Sequence, residues 1–226
     1  MSNLLTQLRL IEKKNHRTEN AVTLLAVSKK QSAKKIRDLF LQGQKYFGEN
    51  YLQEALEKQV LLKDLAIEWH FIGHIQSNKT KAIAEHFSWV HSVDRLSIAK
   101  RLNDQRPASL PPLNVCIEIN IDNENTKSGI TPEKLLSLAK EIALLKNLKL
   151  RGLMIIPQKH IRESVCNNVF QKTAQLQKQL IDAGFSVDTL SMGMSADYEA
   201  AIASGATMVR IGTALFGERD PSEAHR

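Results

Sequence analysis

Short apolar segments alternate with segments of helical periodicity along nearly the whole chain. Such alternation predicts a parallel β-sheet with helices between its strands, and eight repeats of the unit predict closure into a barrel. We therefore expect an α/β protein with a single (β/α)8 barrel of the TIM type, and an open doubly wound sheet is the structural alternative. The segments that we interpret as strands end at or near Lys29, Phe47, Ile72, Val93, Ile121, Ile156, Met192 and Ile211.

Neither a change in composition nor a proline-rich linker divides the chain. We expect one domain over residues 1–226, with an amino-terminal helix within residues 1–20 and a tail at residues 218–226. Helix boundaries carry the usual signals, with Ser32 as an N-cap and Gly184 as a C-cap.

The composition is that of an ordinary globular protein, with 42% hydrophobic and 24% charged residues. The net charge of +7 is dispersed, and the chain has no basic run with interleaved aromatics that would predict nucleic-acid binding. No apolar run reaches the length of a membrane span, and the first residues lack the pattern of a secretion signal. Cys116 and Cys166 have neither metal-ligand nor redox spacing, so we expect two buried thiols in a cytoplasmic protein that does not contact membranes.

The first predicted strand ends in a lysine. The run Val22 to Val27, which is apolar except for Thr23, leads through Ser28 to Lys29, which we place at the carboxyl end of this strand. In a barrel of this type the active groups collect at the carboxyl ends of the strands. Lys29 is therefore a candidate nucleophile, and the alternative is an ordinary solvated lysine.

Small and polar residues follow the last two predicted strands, as Gly193-Met194-Ser195 and Gly212-Thr213. The loops after strands seven and eight are the usual phosphate-binding loops of a TIM barrel. Each glycine has the alternative meaning of an ordinary turn residue. Since strands one and eight are neighbours in a closed barrel, an amine and an anion-binding loop would lie side by side. That combination suits a cofactor with an aldehyde and a phosphate group.

The candidate residues belong to five motifs that follow one another along the chain. They are Ala26-Val27-Ser28-Lys29, Phe47-Gly48-Glu49-Asn50, His70-Phe71-Ile72-Gly73 with Gln76-Ser77-Asn78-Lys79, Ser191-Met192-Gly193-Met194-Ser195 and Val209-Arg210-Ile211-Gly212-Thr213. In this combination and order they resemble the pyridoxal phosphate homeostasis proteins, which are similar to the barrel domain of alanine racemase. The resemblance covers roughly residues 20 to 217.

The resemblance implies a role for each candidate residue. Lys29 would form an internal aldimine with pyridoxal 5′-phosphate (PLP), and Ser195, Gly212 and Thr213 would hold its phosphate. Arg210 would contact the pyridine nitrogen or the phosphate. Asn50 and Met194 would line the ring.

Some of these residues have structural alternatives. Arg210 could instead form an ion pair with Glu49 or Asp197, because structural ion pairs resemble functional sites. His70 lies within a strand, and we expect a core residue rather than a base.

Racemisation needs two bases, one on each face of the bound amino acid. Alanine racemases take the second base, a tyrosine, from a C-terminal β-domain, and we expect no such domain here. Tyr46, Tyr51 and Tyr198 offer no evident replacement. The expected function is therefore a monomeric PLP-binding protein that is not an enzyme and supplies PLP to other proteins, including PLP-dependent apo-enzymes. The alternatives are a weak PLP-dependent amino-acid racemase and a Schiff-base aldolase without cofactor.

Overall fold

Eight parallel strands in the described part of the chain close into a barrel in sequence order, with β1 paired to β8. The computed structural model describes residues 1–122, 128–157 and 163–217, without the side chains of residues 2 and 163–166. The pairing of β1 with β8 excludes the open sheet and confirms the predicted barrel. The strands are β1 (Thr23–Val27), β2 (Tyr46–Glu49), β3 (Glu68–Phe71), β4 (Trp89–Val93), β5 (Leu113–Glu118), β6 (Leu148–Met154), β7 (Thr189–Ser191) and β8 (Met208–Ile211).

Helices fill the connections between successive strands. The amino-terminal helix is shorter than the predicted range of residues 1–20. The predicted tail at residues 218–226 and the side chain of Cys166 lie outside the described residues. The helices are α1 (Ser2–Lys14), α2 (Ala33–Leu41), α3 (Leu52–Leu61), α4 (Thr80–His86), α5 (Leu96–Gln105), α6 (Leu135–Ala143), α7 (Glu163–Asp182), α8 (Tyr198–Ala203) and α9 (Thr213–Phe216).

Several helix boundaries follow their sequence signals. The Ser32 side chain accepts a hydrogen bond from the backbone N–H of Lys35 and caps α2, as predicted. Gly184, two residues after the last residue of α7, has a φ of +90°, which is the left-handed conformation that commonly ends a helix. Residues Pro132–Lys134 form a 3-10 turn before α6 begins.

The main hydrophobic core lies between the barrel and the surrounding helices. It joins strand residues such as Phe47 and Val90 with helix residues such as Ile83, Ile98 and Ile142. Two smaller apolar clusters lie apart from it, and they are Leu25 with Ile72 and Met208, and Trp89 with Cys116 and Met154. Side chains alternate between the two faces of a barrel strand, and these small clusters belong to the inner face. No helix in the described ranges is both long and apolar enough to cross a membrane.

One strand contains an irregularity that the sequence did not predict. Val115 pairs with Leu150 and Cys116 with Gly152, so Arg151 is an extra residue in β6. Gly152 follows with a φ of +150°, and a Cβ atom placed there would lie 1.9 Å from the carbonyl oxygen of Thr189. The close approach of β6 and β7 therefore requires glycine at position 152.

We expect Gly152→Ala to destabilise the protein by about 3 kcal/mol, because the added methyl group must push β6 and β7 apart. The matched control is Gly184→Ala, where φ is also positive but no atom lies within 4 Å of the added Cβ. The control should cost only about 1 kcal/mol of backbone strain. Urea unfolding of both variants measures the difference. Equal losses would show that backbone conformation, and not the contact with Thr189, determines the cost.

Candidate functional site

A cavity of about 390 Å³ lies at the carboxyl ends of the strands, beside β1, β7 and β8. All seven residues selected from the sequence line this single cavity. Their joint placement agrees with a common binding site, while the role of each residue stays a prediction. The lining residues are Val27, Lys29, Gln31, Asn50, Ile72, Ile156, Met194, Ser195, Ala196, Arg210, Gly212, Thr213 and Gly217.

The pairing of β1 with β8 brings Lys29 to this cavity. Ala26 lies opposite Ile211, so the residues after each strand are neighbours. A Cβ atom at Gly212 would lie 3.3 Å from the carbonyl oxygen of Val27, so a side chain there would crowd the end of β1. This places the loop that carries Lys29 against the loop that follows β8.

Lys29 lies in a turn, and not at the end of the strand as we predicted. β1 ends at Val27, and the Gln31 N–H donates to the Ser28 carbonyl oxygen at 3.0 Å. Lys29 is half-buried while Lys30 is exposed. Lys30 has a φ of +59°, so the chain reverses there instead of continuing as a strand.

The loop after β7 is tightly folded against α8. Gly193 has a φ of +95°, and a Cβ atom there would lie 2.7 Å from the Cβ atom of Ala201. The Met194 N–H donates to the Asp197 carboxylate at 2.5 Å. This turn leaves Ser195 exposed on the cavity.

Thr213 faces the same cavity from the start of α9, where the first N–H groups of a helix have no intrahelical partner. Ser195 and Thr213 thus supply two accessible hydroxyl groups, with backbone donors close by. This donor set fits a phosphate group.

Arg210 is buried, with an exposed fraction of 4%, and is held by oxygen atoms inside the barrel. Its Nη1 donates to the Ser191 carbonyl oxygen at 2.5 Å, and its Nη2 donates to the Ile155 carbonyl oxygen at 2.7 Å. The predicted alternative of a pair with Glu49 is wrong, because the Glu49 carboxylate binds Lys58 at 2.8 Å. The Ser191 hydroxyl oxygen is a third acceptor, so three fixed acceptors orient the Arg210 guanidinium.

Burial lowers the pKa of Arg210 to about 10, and the negative potential of Asp197, Glu118 and Cys116 opposes that shift. Arg210 therefore remains a cation at neutral pH. A fixed cation at this place disfavours a second positive charge on a ligand atom beside it.

A chain of hydrogen bonds leads from Arg210 through the barrel interior. Arg210 Nη1 donates to Ser191 Oγ at 2.9 Å, and Ser191 Oγ lies 2.8 Å from His91 Nδ1. His91 Nε2 lies 2.9 Å from His70 Nδ1, and His70 Nε2 lies 3.1 Å from Glu68 Oε1. Since β4 and β7 are not adjacent strands, the contact between His91 and Ser191 must cross the interior. His70 is thus a core residue, as predicted.

The donors in this chain have a single consistent direction. Burial lowers the pKa of both His70 and His91, so both imidazoles are neutral. The hydrogen bond from His70 lowers the pKa of Glu68, which is therefore an ionised acceptor. His70 must then donate from Nε2 to Glu68 and accept at Nδ1 from His91. It follows that His91 accepts at Nδ1 from the Ser191 hydroxyl.

Two residues on the cavity carry a buried hydrogen-bond acceptor, and only one of them, Asn50, was selected from the sequence. Gln31 Oε1 and Asn50 Oδ1 are buried and accept no hydrogen bond from the described residues. A buried acceptor without a donor costs stability, so each is a place where a ligand donor would be favourable. Both residues fit a cofactor that carries a hydroxyl or a protonated imine. Gln31 could have been suspected only from its position two residues after Lys29.

A second cavity of about 220 Å³ adjoins the first at the ends of β3, β5 and β6, and the two share Asn50, Ile72 and Ile156. Glu118 lines the second cavity. Burial raises the pKa of Glu118 to about 7, the neighbouring carboxylate of Asp94 adds to this rise, and the charge of Arg210 opposes it. Near neutral pH the Glu118 carboxyl is thus an available proton acceptor or donor.

Comparison with protein families assigns the fold and the lineage. Residues 4–220 match the family described as alanine racemase, N-terminal domain. The match includes every element of the barrel and all the residues that line the first cavity.

The most similar curated relatives include bacterial proteins with one shared name. The pyridoxal phosphate homeostasis protein of Pseudomonas aeruginosa is 58% identical over 199 residues, which cover 88% of this chain and 85% of the relative. That of Escherichia coli K12 is 52% identical over 215 residues, which cover 92% of this chain and 90% of the relative.

Solved structures agree. PipY of Synechococcus elongatus PCC7942, determined with PLP bound, superposes with a TM-score of 0.83 at 34% identity, over 92% of this chain and 98% of PipY. An alanine racemase of Clostridium difficile has a TM-score of 0.73 at 16% identity, and the match covers 99% of this chain but 58% of the racemase. This second likeness shows the barrel fold. The chain thus belongs to the alanine racemase N-terminal domain family and, within it, to the pyridoxal phosphate homeostasis proteins.

Proposed function

We propose that this protein binds PLP in the first cavity and contributes to PLP homeostasis by holding the cofactor and supplying it to other proteins. The observation that carries the proposal is the placement of Lys29 and the loops after β7 and β8 on one cavity. An amine and an anion-binding loop at this spacing suit a small aldehyde with a phosphate group. The names of the curated relatives and the PLP bound to PipY support the same cofactor.

When bound, PLP supplies a reactive aldehyde. The Lys29 amine would condense with that aldehyde to form a Schiff base, with release of one water molecule. Ser195, Gly212 and Thr213 would bind the phosphate through hydroxyl and backbone N–H donors. Arg210, held by carbonyl oxygens, would keep a neighbouring pyridine nitrogen unprotonated. Asn50 and Met194 would contact the ring.

The proposed role is that of a carrier and not of an enzyme. Ser195 and Thr213 are exposed, so the phosphate end of the site is accessible to solvent. Catalysis on PLP gains from a site that excludes water, whereas transfer of the cofactor needs an accessible one. We further propose that the protein acts as a monomer in the cytoplasm and that its acceptors are PLP-dependent apo-enzymes.

A weak amino-acid racemase remains the second candidate function, and one observation favours it. Glu118 has a pKa of about 7 and lines the cavity that adjoins the first. A carboxyl group with that pKa is half ionised at neutral pH and is suited to accept a proton. The sequence analysis expected none of the three tyrosines to be the second base, and no sequence pattern indicated Glu118 for that role.

Lys29→Ala should abolish the visible absorbance that the protein develops with PLP, because Lys29 is the one lysine among the described residues that line the cavity. The matched control is Lys30→Ala, which removes an exposed lysine next to it and should leave the spectrum unchanged. Borohydride reduction followed by peptide mapping should place the label on Lys29. A wild-type protein that leaves the spectrum of free PLP unchanged would favour the cofactor-free aldolase.

Ser195→Ala and Thr213→Ala should each weaken PLP retention by about 1–3 kcal/mol, the value of a hydrogen bond to a charged group. Equilibrium dialysis of PLP against each variant gives the affinity. Ser97→Ala, at an exposed position on α5, serves as the control and should bind PLP like the wild type. Normal affinity in both site variants would place the phosphate elsewhere.

A carrier should not accelerate proton exchange at the α-carbon of an amino acid. We expect L-alanine in D2O to incorporate deuterium no faster with the PLP-loaded protein than with free PLP, as measured by NMR. An enzyme that used Glu118 as its base would behave differently. Its exchange rate would rise with pH through about 7, as Glu118 ionises, and would be lost in Glu118→Gln.

A further inference from the structure

We propose that Glu54 and Lys58, on the helix after β2, are positioning residues that orient Lys29 for reaction with the cofactor aldehyde. The inference rests on the proposed function, because it assigns the support of the same lysine. With Glu49, these side chains form a cluster behind the turn of Lys29, which we call the Lys58 cluster; Glu49 and Lys58 are buried in it, and Glu54 is partly exposed. Neither residue lines the cavity, so a direct contact with the cofactor is not proposed.

The Lys58 cluster holds the peptide group that precedes Lys29. Lys58 Nζ donates to the Ser28 carbonyl oxygen at 2.7 Å. The Ser28 hydroxyl donates to Glu49 Oε1 at 2.6 Å, and the Ser28 N–H donates to the Gly48 carbonyl oxygen at 3.0 Å. Ser28 is fully buried, so these contacts are not exchanged with water. The orientation of the Ser28–Lys29 peptide is thereby fixed.

The same cluster holds the peptide group that follows Lys29. The Lys30 N–H donates to Glu54 Oε1 at 2.5 Å. Lys30 has a φ of +59°, a conformation that a residue with a side chain adopts only where its surroundings compensate the cost. Glu54 provides that compensation by accepting the N–H that the reversal of the chain exposes.

Lys58 joins the two halves of this support. Its ammonium group binds Glu49 Oε1 at 2.8 Å and Glu54 Oε1 at 2.5 Å, and its side chain is only 7% exposed. A buried ammonium is stable only where anions and acceptors surround it, and two carboxylates and one carbonyl do so here. The loss of either Glu54 or Lys58 therefore removes a hydrogen bond from a peptide group next to Lys29.

This arrangement determines the direction in which the Lys29 side chain leaves the backbone. The bond from Cα to Cβ of a residue is oriented by the two peptide groups that flank it, and here both are held. A nucleophile kept within reach of its electrophile reacts faster than one that samples many orientations. Reaction of the Lys29 amine with the aldehyde, with loss of one water, should thus depend on Glu54 and Lys58, while phosphate binding should not.

Two measurements separate these effects. The first is the rate at which visible absorbance appears after PLP is mixed with the protein, which reports formation of the C=N bond to Lys29. The second is the affinity for 4-deoxypyridoxine 5′-phosphate, measured by calorimetry. This analogue has the ring and the phosphate of PLP but no aldehyde. Thermal unfolding of each variant reports whether the barrel is intact.

We expect Glu54→Ala to slow C=N bond formation about tenfold at an unchanged affinity for the analogue. Glu54→Gln keeps an acceptor for the Lys30 N–H and should restore most of the rate. Glu57→Ala, at an exposed position on the same helix, is the matched control and should react like the wild type. Lys58→Met should resemble Glu54→Ala if it folds, and the Glu54 series decides the question if it does not.

A wild-type rate in folded Glu54→Ala would overturn the proposal. An equal fall in rate and in affinity for the analogue would also overturn it, because the cluster would then support the whole site and not Lys29 in particular. Failure of the proposed function is a separate result, since the wild-type protein itself would then develop no absorbance with PLP.

Discussion

Pairing between the first and last strands of the barrel is the interaction on which the rest of this structure depends. The register that places Ala26 opposite Ile211 satisfies the backbone groups of both strands, which would otherwise be sheet edges. It also brings Lys29 and Gly212 to one rim, although they lie near opposite ends of the chain. A single set of backbone hydrogen bonds thus closes the fold and assembles the two halves of the cavity.

Polar side chains are buried inside the barrel, and those between Arg210 and Glu68 are paired with one another. A directed chain of donors connects the Arg210 cation to the Glu68 carboxylate by way of Ser191, His91 and His70. Each neutral imidazole donates one hydrogen bond and accepts one, so neither leaves a buried group unsatisfied. These hydrogen bonds inside the barrel fix the orientation of Arg210, which lines the cavity that we propose for PLP.

Much of the fold could be predicted because each strand carries a local signal. β4 ends at Val93, as predicted, while β5 was predicted to extend to Ile121 although its ladder ends at Glu118. An apolar run does not mark where a strand ends, because the end depends on the partner strand. The extra residue Arg151 in β6 shows the same limit, since a bulge is a property of a strand pair. The seven candidate site residues could be selected from the sequence because the loops at the carboxyl ends of the strands lie at one rim of a barrel.

The sequence by itself determined the alternation of strands and helices, the motifs after β1, β7 and β8, and the resemblance to the pyridoxal phosphate homeostasis proteins. These features are local in the chain, and they predicted a closed barrel while an open sheet stayed the alternative, which the pairing of β1 with β8 excludes. Only the tertiary structure decided which side chains support the site. Lys58 and Glu54 lie on a helix whose residue pattern indicates no function. His91 and Ser191 lie on strands that are not neighbours. Their roles arise from contacts between distant segments, and such contacts exist only once the barrel has closed.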